Sequence, residues 1–244
     1  MTVGRPFTRG PGESAMGAGV VFWRYLGGQL RHPSGPGARL IGPAMALVNR
    51  RPNRAAIDAL DIAPNETVLE LGFGPGHALQ TLTARAWRGR VLGIDHSDAM
   101  LAQAARCNRR AIAEGRLQLR LGRFDALPWP AACVDKVLAV NVAYFFCADG
   151  TELREARRVL RPGGRLAVFA ADRSVMTRWK FAGPDTHRAV DREGLFRLFH
   201  AGGFAADDVT VRSIAMPMGI TALLGVAQKC ASANAAARGV SEAH

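Results

Sequence analysis

From residue 66 onward, short apolar runs alternate with longer segments whose apolar residues recur every three or four positions. The first pattern predicts strands and the second predicts helices. Strands are predicted at 67–71, 90–95, 117–121, 134–140, 164–171, 205–212 and 221–228. Helices are predicted at 76–87, 98–113, 149–160 and 191–201. This alternation is typical of an α/β domain, because parallel neighbouring strands need crossover connections.

The last two predicted strands follow each other closely, with only the region around Met216 to Gly219 between them. Such a short connection predicts an antiparallel hairpin at one edge of the sheet. We therefore predict a Rossmann-like, doubly wound seven-stranded sheet, mostly parallel with an antiparallel edge strand, plus an N-terminal helical extension.

Ahead of this pattern, helices are predicted near 16–31 and 39–60, and the prolines and glycines of residues 31–37 separate them. The predicted division is a basic N-terminal helical extension or lid at 1–60, a main domain at 61–230 and a disordered tail at 231–244.

The formal charge of +12 is concentrated at the start, where residues 1–55 hold eight arginines and only Glu13 as an acidic residue. A basic segment can contact nucleic acid, an anionic membrane surface or an acidic substrate, or it can be a solvated face. The four cysteines form no C-x-x-C pair and the six histidines show no ligand spacing, so no metal site is predicted. With no signal peptide and no spanning apolar stretch, we predict a cytoplasmic protein.

Three glycines follow the first predicted strand at intervals of two: Gly72, Gly74 and Gly76. A helical pattern begins immediately after them. This strand, glycine turn and helix are the arrangement by which an open α/β sheet brings bare backbone against a nucleotide-like ligand. Glycine suits the turn because it tolerates positive φ and has no Cβ.

Polar and aromatic residues stand at the carboxyl ends of the same strands. The first two strands end near Glu70 and Asp95, and Asp95 stands nineteen residues after Gly76, where a carboxylate can accept hydrogen bonds from ribose hydroxyls. The third strand is followed by Phe124, Asp125 and Ala126, and the fourth by Asn141. Open α/β sheets bind ligands at this edge.

Four motifs together resemble the class I S-adenosylmethionine-dependent methyltransferases. They are Glu-x-Gly-x-Gly-x-Gly at 70–76, Asp-x-Ser-x-x-Met-Leu at 95–101, the segment from Asp125 to Pro128, and Leu-Arg-Pro-Gly-Gly-Arg at 160–165. The resemblance covers about residues 45–228 and is greatest to the small-molecule group that includes the ubiquinone/menaquinone-biosynthesis methyltransferases. A nicotinamide-binding domain fits less well, because it needs G-x-G-x-x-G and this chain has G-x-G-x-G followed by His77.

The resemblance implies S-adenosyl-L-methionine as the cofactor. The turn from Gly72 to Gly76, with Phe73 inside it, would pass the methionine part above Glu70, and Asn141 would border the transferring methyl. Asp95 would bind the ribose hydroxyls. The adenine would be flanked or bonded by His96, Met100, Phe124, Asp125 and Ala126.

Structural alternatives stay open for several of these residues. Asp125 could cap the next segment, Met100 could be core alone, and His77 and His96 could be ordinary helix-start residues. The aromatic run 144–146 is either packing or a substrate wall. No residue is compelling as a catalytic base, although Tyr144, Asp172 and His187 lie in predicted loops near the cofactor edge.

The sequence from Asn141 to Tyr144 lacks both prolines of the Asn/Asp-Pro-Pro-Tyr motif, which argues against amino methylation of the DNA-base type. We predict a methyltransferase for a small hydrophobic or lipid-like acceptor, with peripheral membrane contact through the basic N-terminal helices. An RNA methyltransferase ranks second, because no separate RNA-binding module is recognisable. A non-catalytic S-adenosylmethionine-binding protein is the third hypothesis.

Overall fold

The computed structural model describes residues 50–176, 189–216 and 220–230. Seven strands form one sheet in the order β3-β2-β1-β4-β5-β7-β6. Their bounds are β1 Thr67–Leu71, β2 Arg90–Asp95, β3 Leu117–Leu121, β4 Val134–Val140, β5 Leu160–Ala171, β6 Val209–Met216 and β7 Ile220–Gln228. The first five strands pair in parallel, whereas β7 runs antiparallel to both β5 and β6. The predicted fold class and the predicted hairpin at the sheet edge are therefore confirmed.

Helices connect the strands in the expected places. They are α1 at 50–60, α2 His77–Arg85, α3 Asp98–Cys107, α4 Arg109–Ala113, α5 Thr151–Val159, the one-turn α6 Arg173–Met176 and α7 Arg192–Ala201. Short 3₁₀ turns lie between β4 and α5 at Ala143–Phe145 and between α7 and β6 at Ala206–Asp208. Across the described ranges, none of the helices combines the length and the apolar character needed to cross a membrane.

Apolar side chains cover both faces of the central strands, as parallel sheets require. On β1, Leu69 and Leu71 belong to one buried cluster, and Val68, just before them, belongs to the other. The second cluster also takes in Ile57 and Leu60 of α1. The main core therefore already includes the last turns of the first described helix.

Three sequence-predicted boundaries were wrong. The helix predicted at 98–113 breaks at Asn108. Strand β5 begins at Leu160 rather than 164, because Leu160 already pairs with Val134 ahead of a register shift. Strand β6 spans Val209–Met216 rather than 205–212, because residues 206–208 form a 3₁₀ turn.

Several predictions lie outside the described residues. These are the helix at 16–31, the part of the second helix before residue 50, and the tail at 231–244. The division of the chain at residue 60 also stays a prediction.

Candidate active site

The loops at the carboxyl end of the sheet are fixed by the neighbouring strands. The N–H of Gly72 donates to the Ile94 carbonyl at 2.8 Å, and that of Gly122 donates to the Asp95 carbonyl at 2.9 Å. After β4, the N–H of Asn141 donates to the Phe169 carbonyl at 2.8 Å. Each loop thus leaves the sheet in a set direction, and the polar residues that follow the strands share one edge.

The glycine turn uses positive φ at all three glycines: 70° at Gly72, 50° at Gly74 and 85° at Gly76. A Cβ on Gly72 would lie 2.3 Å from a methyl carbon of Val142, and one on Gly76 would lie 2.7 Å from the Cβ of Ala104. Those two glycines are required by close packing. Gly74 differs, because a Cβ there would meet no atom within 4 Å, so its backbone borders open space.

Asp95 joins this turn to the next helix. One of its carboxylate oxygens accepts the Gly74 N–H at 2.9 Å, and the other accepts the Ser97 N–H at 3.0 Å. Burial raises the pKa of the Asp95 carboxyl, and these two hydrogen bonds oppose that increase. The side chain of Ser97 caps α3 by accepting the Met100 N–H at 3.4 Å.

Glu70 is a buried acid below the turn, with 3% of its surface exposed. Its Oε2 atom has no hydrogen-bond partner within the described part of the chain. Burial, followed by repulsion from Asp95, raises the pKa of Glu70 to about 8. A buried carboxyl with an open acceptor suits a cationic group arriving above it.

Aromatic side chains form the other end of the site. The ring of Phe124 packs edge-on against His96 at 6.1 Å and against Phe146 at 6.2 Å between centroids. A cleft of about 250 Å³ opens beside them. It is lined by His96, Gly122, Arg123, Phe124, Asp125, Phe145, Cys147 and Glu152.

The carboxylate of Asp125 lies at this cleft and is paired with Arg123. Both of its oxygens accept hydrogen bonds from Arg123, one of them at 2.9 Å. The side-chain hydrogen bond from Arg123 lowers the pKa of Asp125, so the carboxylate is ionised at neutral pH. No helix begins in residues 122–133, which leaves the capping interpretation without support.

Asn141 and Tyr144 are held together after β4. Asn141 adopts a positive φ of 57°, a conformation that asparagine tolerates better than most residues. Its side-chain oxygen accepts the Tyr144 hydroxyl at 3.1 Å, and the same hydroxyl accepts the Ala171 N–H. Tyr144 is 7% exposed, and burial raises its pKa above the ordinary value. It is therefore a neutral hydrogen-bonding group rather than a base.

Three remaining predicted site residues, Met100, Phe73 and Ala126, differ in how deeply they are buried. Met100 is 1% exposed, and Phe73 is 4% exposed and lies in the second apolar cluster. Phe73 can therefore meet a ligand only through its backbone. Ala126 is exposed beside Asp125. The ligand-binding roles of all twelve residues stay predictions.

The sequence also offered Asp172 and His187 as possible bases. Asp172 accepts hydrogen bonds from the N–H and hydroxyl of Ser174, at 2.8 and 2.6 Å, and so caps the one-turn α6. His187 lies outside the described residues.

Sequence reasoning missed several residues that shape the site. Ser97 was detectable, because serine directly before a helix is a common N-cap. The pairing of Arg123 with Asp125 and the clasp by Tyr144 had no pattern to reveal them, since both depend on loop geometry.

Comparison with known proteins gives consistent results. A family model described as a methyltransferase domain matches residues 69–168. The uncharacterized methyltransferase YdaC of Bacillus subtilis is 32% identical over 184 residues, which cover 75% of this chain and 96% of that protein.

Two further comparisons concern proteins with named acceptors. A ubiquinone/menaquinone biosynthesis C-methyltransferase of Syntrophotalea carbinolica is 30% identical, and the match covers 68% of this chain and 66% of that protein. A solved geranyl diphosphate C-methyltransferase of Streptomyces coelicolor, in complex with S-adenosyl-L-homocysteine, superposes with a TM-score of 0.60 at 14% identity. That superposition covers 73% of this chain and 78% of the other and shows the shared fold.

Proposed function

Because the chain belongs to the class I S-adenosylmethionine-dependent methyltransferases, we propose that it methylates a small hydrophobic or lipid-like acceptor. The observation that carries this proposal is the apolar wall at residues 142–146. Val142, Tyr144 and Phe146 form the buried backing of this wall, and the partly buried ring of Phe145 lines the cleft beside Phe124. The wall lies directly beside the glycine turn, since a Cβ on Gly72 would overlap Val142.

The quinone-biosynthesis relative supports an acceptor of this kind. Its printed name assigns it C-methylation in ubiquinone and menaquinone biosynthesis, although this chain spans just under two thirds of its length. An apolar wall favours binding of a quinone-like ring, because burying apolar surface contributes roughly 25 cal/mol per Å² to the binding free energy.

The residues present fit S-adenosyl-L-methionine. The Oε2 of Glu70, which has no partner among the described residues, suits the cationic amino group of the methionine part. The open space above Gly74 leaves room for that part to pass, and Asp95 stands where ribose hydroxyls would donate to it. The bound cofactor supplies a methyl group on a sulfonium that is intrinsically reactive.

The chain's own residues then have to orient the acceptor and exclude water. Asn141 borders the predicted transfer point, and Tyr144 holds it in place. Among the described residues near this edge, Tyr144 and Asp172 are both committed to structural hydrogen bonds. We therefore propose that catalysis rests on positioning, and that any proton the acceptor must lose passes to solvent.

Membrane contact is the second part of the proposal. On α1, Arg50, Arg51 and Arg54 are exposed, while Ile57 and Leu60 are buried in the core. This helix thus has a basic outer face and an apolar inner face, which is suited to an anionic surface.

The test uses S-adenosylmethionine with a labelled methyl group. Purified protein is incubated with a lipid extract, an aqueous metabolite extract and total RNA at limiting cofactor concentration, and the Asp95→Ala variant serves as the control with weakened cofactor binding. We expect label in the organic phase. Label confined to RNA would favour the RNA methyltransferase, and label in no fraction despite cofactor binding would favour a non-catalytic binder.

The membrane part has its own test. Exchange of Arg50 and Arg51 for glutamine, alone and combined with deletion of residues 1–38, should reduce sedimentation of the protein with phosphatidylglycerol vesicles and reduce methylation of the lipid fraction. Unchanged vesicle binding and activity would contradict the membrane proposal and leave the reaction class intact.

A further inference from the structure

A second cleft lies between α1 and α2, away from the aromatic end of the site. Its volume is about 650 Å³, and Arg50, Asn53, Arg54, Asp58, His77 and Arg85 form much of its lining. Two buried apolar residues, Ile57 and Ala78, also border it. The cleft therefore combines a cationic rim with an apolar base.

Its charge is unbalanced. The Asp58 carboxylate accepts a hydrogen bond from Arg85 at 2.8 Å and lies 3.8 Å from the Nε of Arg54. Arg50 has no ion-pair partner within the described ranges. One carboxylate thus faces three guanidinium groups, and the excess positive charge favours an anion.

The two paired arginines remain accessible. The side chain of Arg54 is 85% exposed and that of Arg85 is 51% exposed. Ion pairs at such exposure contribute about 0–1 kcal/mol, so an incoming phosphate or carboxylate can replace Asp58 at little cost. Guanidinium groups suit this exchange because they bind both anions in a bidentate manner.

The cleft also reaches the end of the glycine turn. His77 lines it and immediately follows Gly76, the last residue of the glycine turn. Asn53 and Gln80 supply neutral amide groups along the same walls. A molecule could place an anionic group in the cleft and extend toward the cofactor along the turn.

We propose that this cleft binds the anionic group, a phosphate or a carboxylate, of the methyl acceptor. The inference rests on the proposed function and makes it more specific, because it defines the acceptor as an amphiphile with a hydrophobic body and a negative end.

The experiment measures binding of inorganic phosphate to the full chain by calorimetry, with S-adenosyl-L-homocysteine bound. The double variant Arg54→Gln/Arg85→Gln should weaken phosphate binding by about tenfold or more. Arg106→Gln is the matched control, because it removes a guanidinium from the exposed face of α3. It should leave phosphate binding unchanged.

A variant that is expected to tighten phosphate binding distinguishes loss of the site from simple misfolding. Asp58→Asn removes the competing carboxylate and should tighten phosphate binding by about two- to fivefold. Unchanged or weaker phosphate binding in Asp58→Asn would contradict the proposal.

Vesicles distinguish a free phosphate from a lipid headgroup. Phosphatidylglycerol vesicles that bind the Arg106→Gln control but not the double variant would identify the lipid source, and phosphate binding without this difference would identify a soluble one. If the double variant matches the control with both probes, the proposal is overturned. It is also overturned if the double variant loses S-adenosyl-L-homocysteine instead, since the cleft would then hold the cofactor's carboxylate. Failure of the wild-type chain to bind S-adenosyl-L-homocysteine would count against the proposed function itself.

Discussion

The backbone N–H of Gly74 donates a 2.9 Å hydrogen bond to Oδ2 of Asp95, so one carboxylate connects the glycine turn with the end of β2. The other oxygen of Asp95 accepts the N–H of Ser97, the residue that caps the start of α3. Asp95 thus fixes the turn and stands where the ribose is expected.

Asp95→Ala should weaken S-adenosylmethionine binding by roughly 1.5–3 kcal/mol, the range for hydrogen bonds to a charged group. Calorimetric titration measures the change. Asp98→Ala is a matched control, because Asp98 is exposed at the start of the same helix. Wild-type affinity in Asp95→Ala would remove the ribose assignment.

Glu70→Gln should change the pH dependence of stability. The folded pKa of Glu70 is about 8, above the ordinary 4.5. Between these values the unfolded carboxyl has lost its proton and the folded one has kept it, so the ligand-free wild type should lose stability as pH rises. The slope contributed by Glu70 is at most about 1.4 kcal/mol per pH unit, and urea unfolding should show that it is absent in Glu70→Gln.

Cofactor binding should release this proton. Near pH 7 most wild-type Glu70 is protonated, and a cation above it favours the ionised form. Calorimetry in two buffers of different ionisation enthalpy should detect close to one proton released by the wild type and none by Glu70→Gln. Glu193→Gln, at a largely exposed acid, should behave like the wild type; equal proton release from Glu70→Gln would exclude Glu70 as the source.

Gly74→Ala and Gly76→Ala should fail in different ways. A Cβ on Gly74 has room, so its cost in stability is the left-handed backbone alone, about 1–2 kcal/mol, while the added methyl enters ligand space and reduces cofactor affinity. A Cβ on Gly76 would lie 2.8 Å from the Ala104 Cα atom, so overpacking adds to the backbone strain. Thermal unfolding should therefore show the larger loss for Gly76→Ala, and equal losses would contradict the packing described here.

Tyr144→Phe should affect both stability and turnover. It removes the hydroxyl that accepts the Ala171 N–H and donates to Asn141. Losing the partner of a buried group costs about 1–3 kcal/mol. Because Asn141 is then less firmly held, kcat should fall more than cofactor affinity. Phe204→Leu, a change to a buried ring that packs against Phe199 away from the site, is the control for altered packing; a loss of stability alone in Tyr144→Phe would exclude the positioning role.

The sequence was most informative where one pattern decided the structure. Strands β1 to β4 begin and end at the predicted residues, because each is a short stretch rich in valine, leucine or isoleucine that is followed by glycine or a polar residue. The edge that carries Glu70, Asp95 and Asn141 followed from the rule that the carboxyl ends of parallel strands meet.

Tertiary contacts decided the rest. Residues 161–164 read as a turn, yet β5 extends through them because Leu160 pairs with Val134 and the Gly163 N–H donates to the Lys229 carbonyl. The pairing of Asp125 with Arg123 could not be predicted, since an i, i+2 pair meets only in a particular loop conformation. The cleft between α1 and α2 depended on a helix crossing that no local pattern encodes.

The break at Asn108 also bears on how the chain is made. The Asn108 side-chain amide donates to the carbonyls of Gly76 and Ala104, at 3.0 and 2.9 Å. During synthesis, β1 and its glycines leave the ribosome more than thirty residues before this amide does. This contact on the glycine turn can therefore form only after the second helix behind the turn has been made.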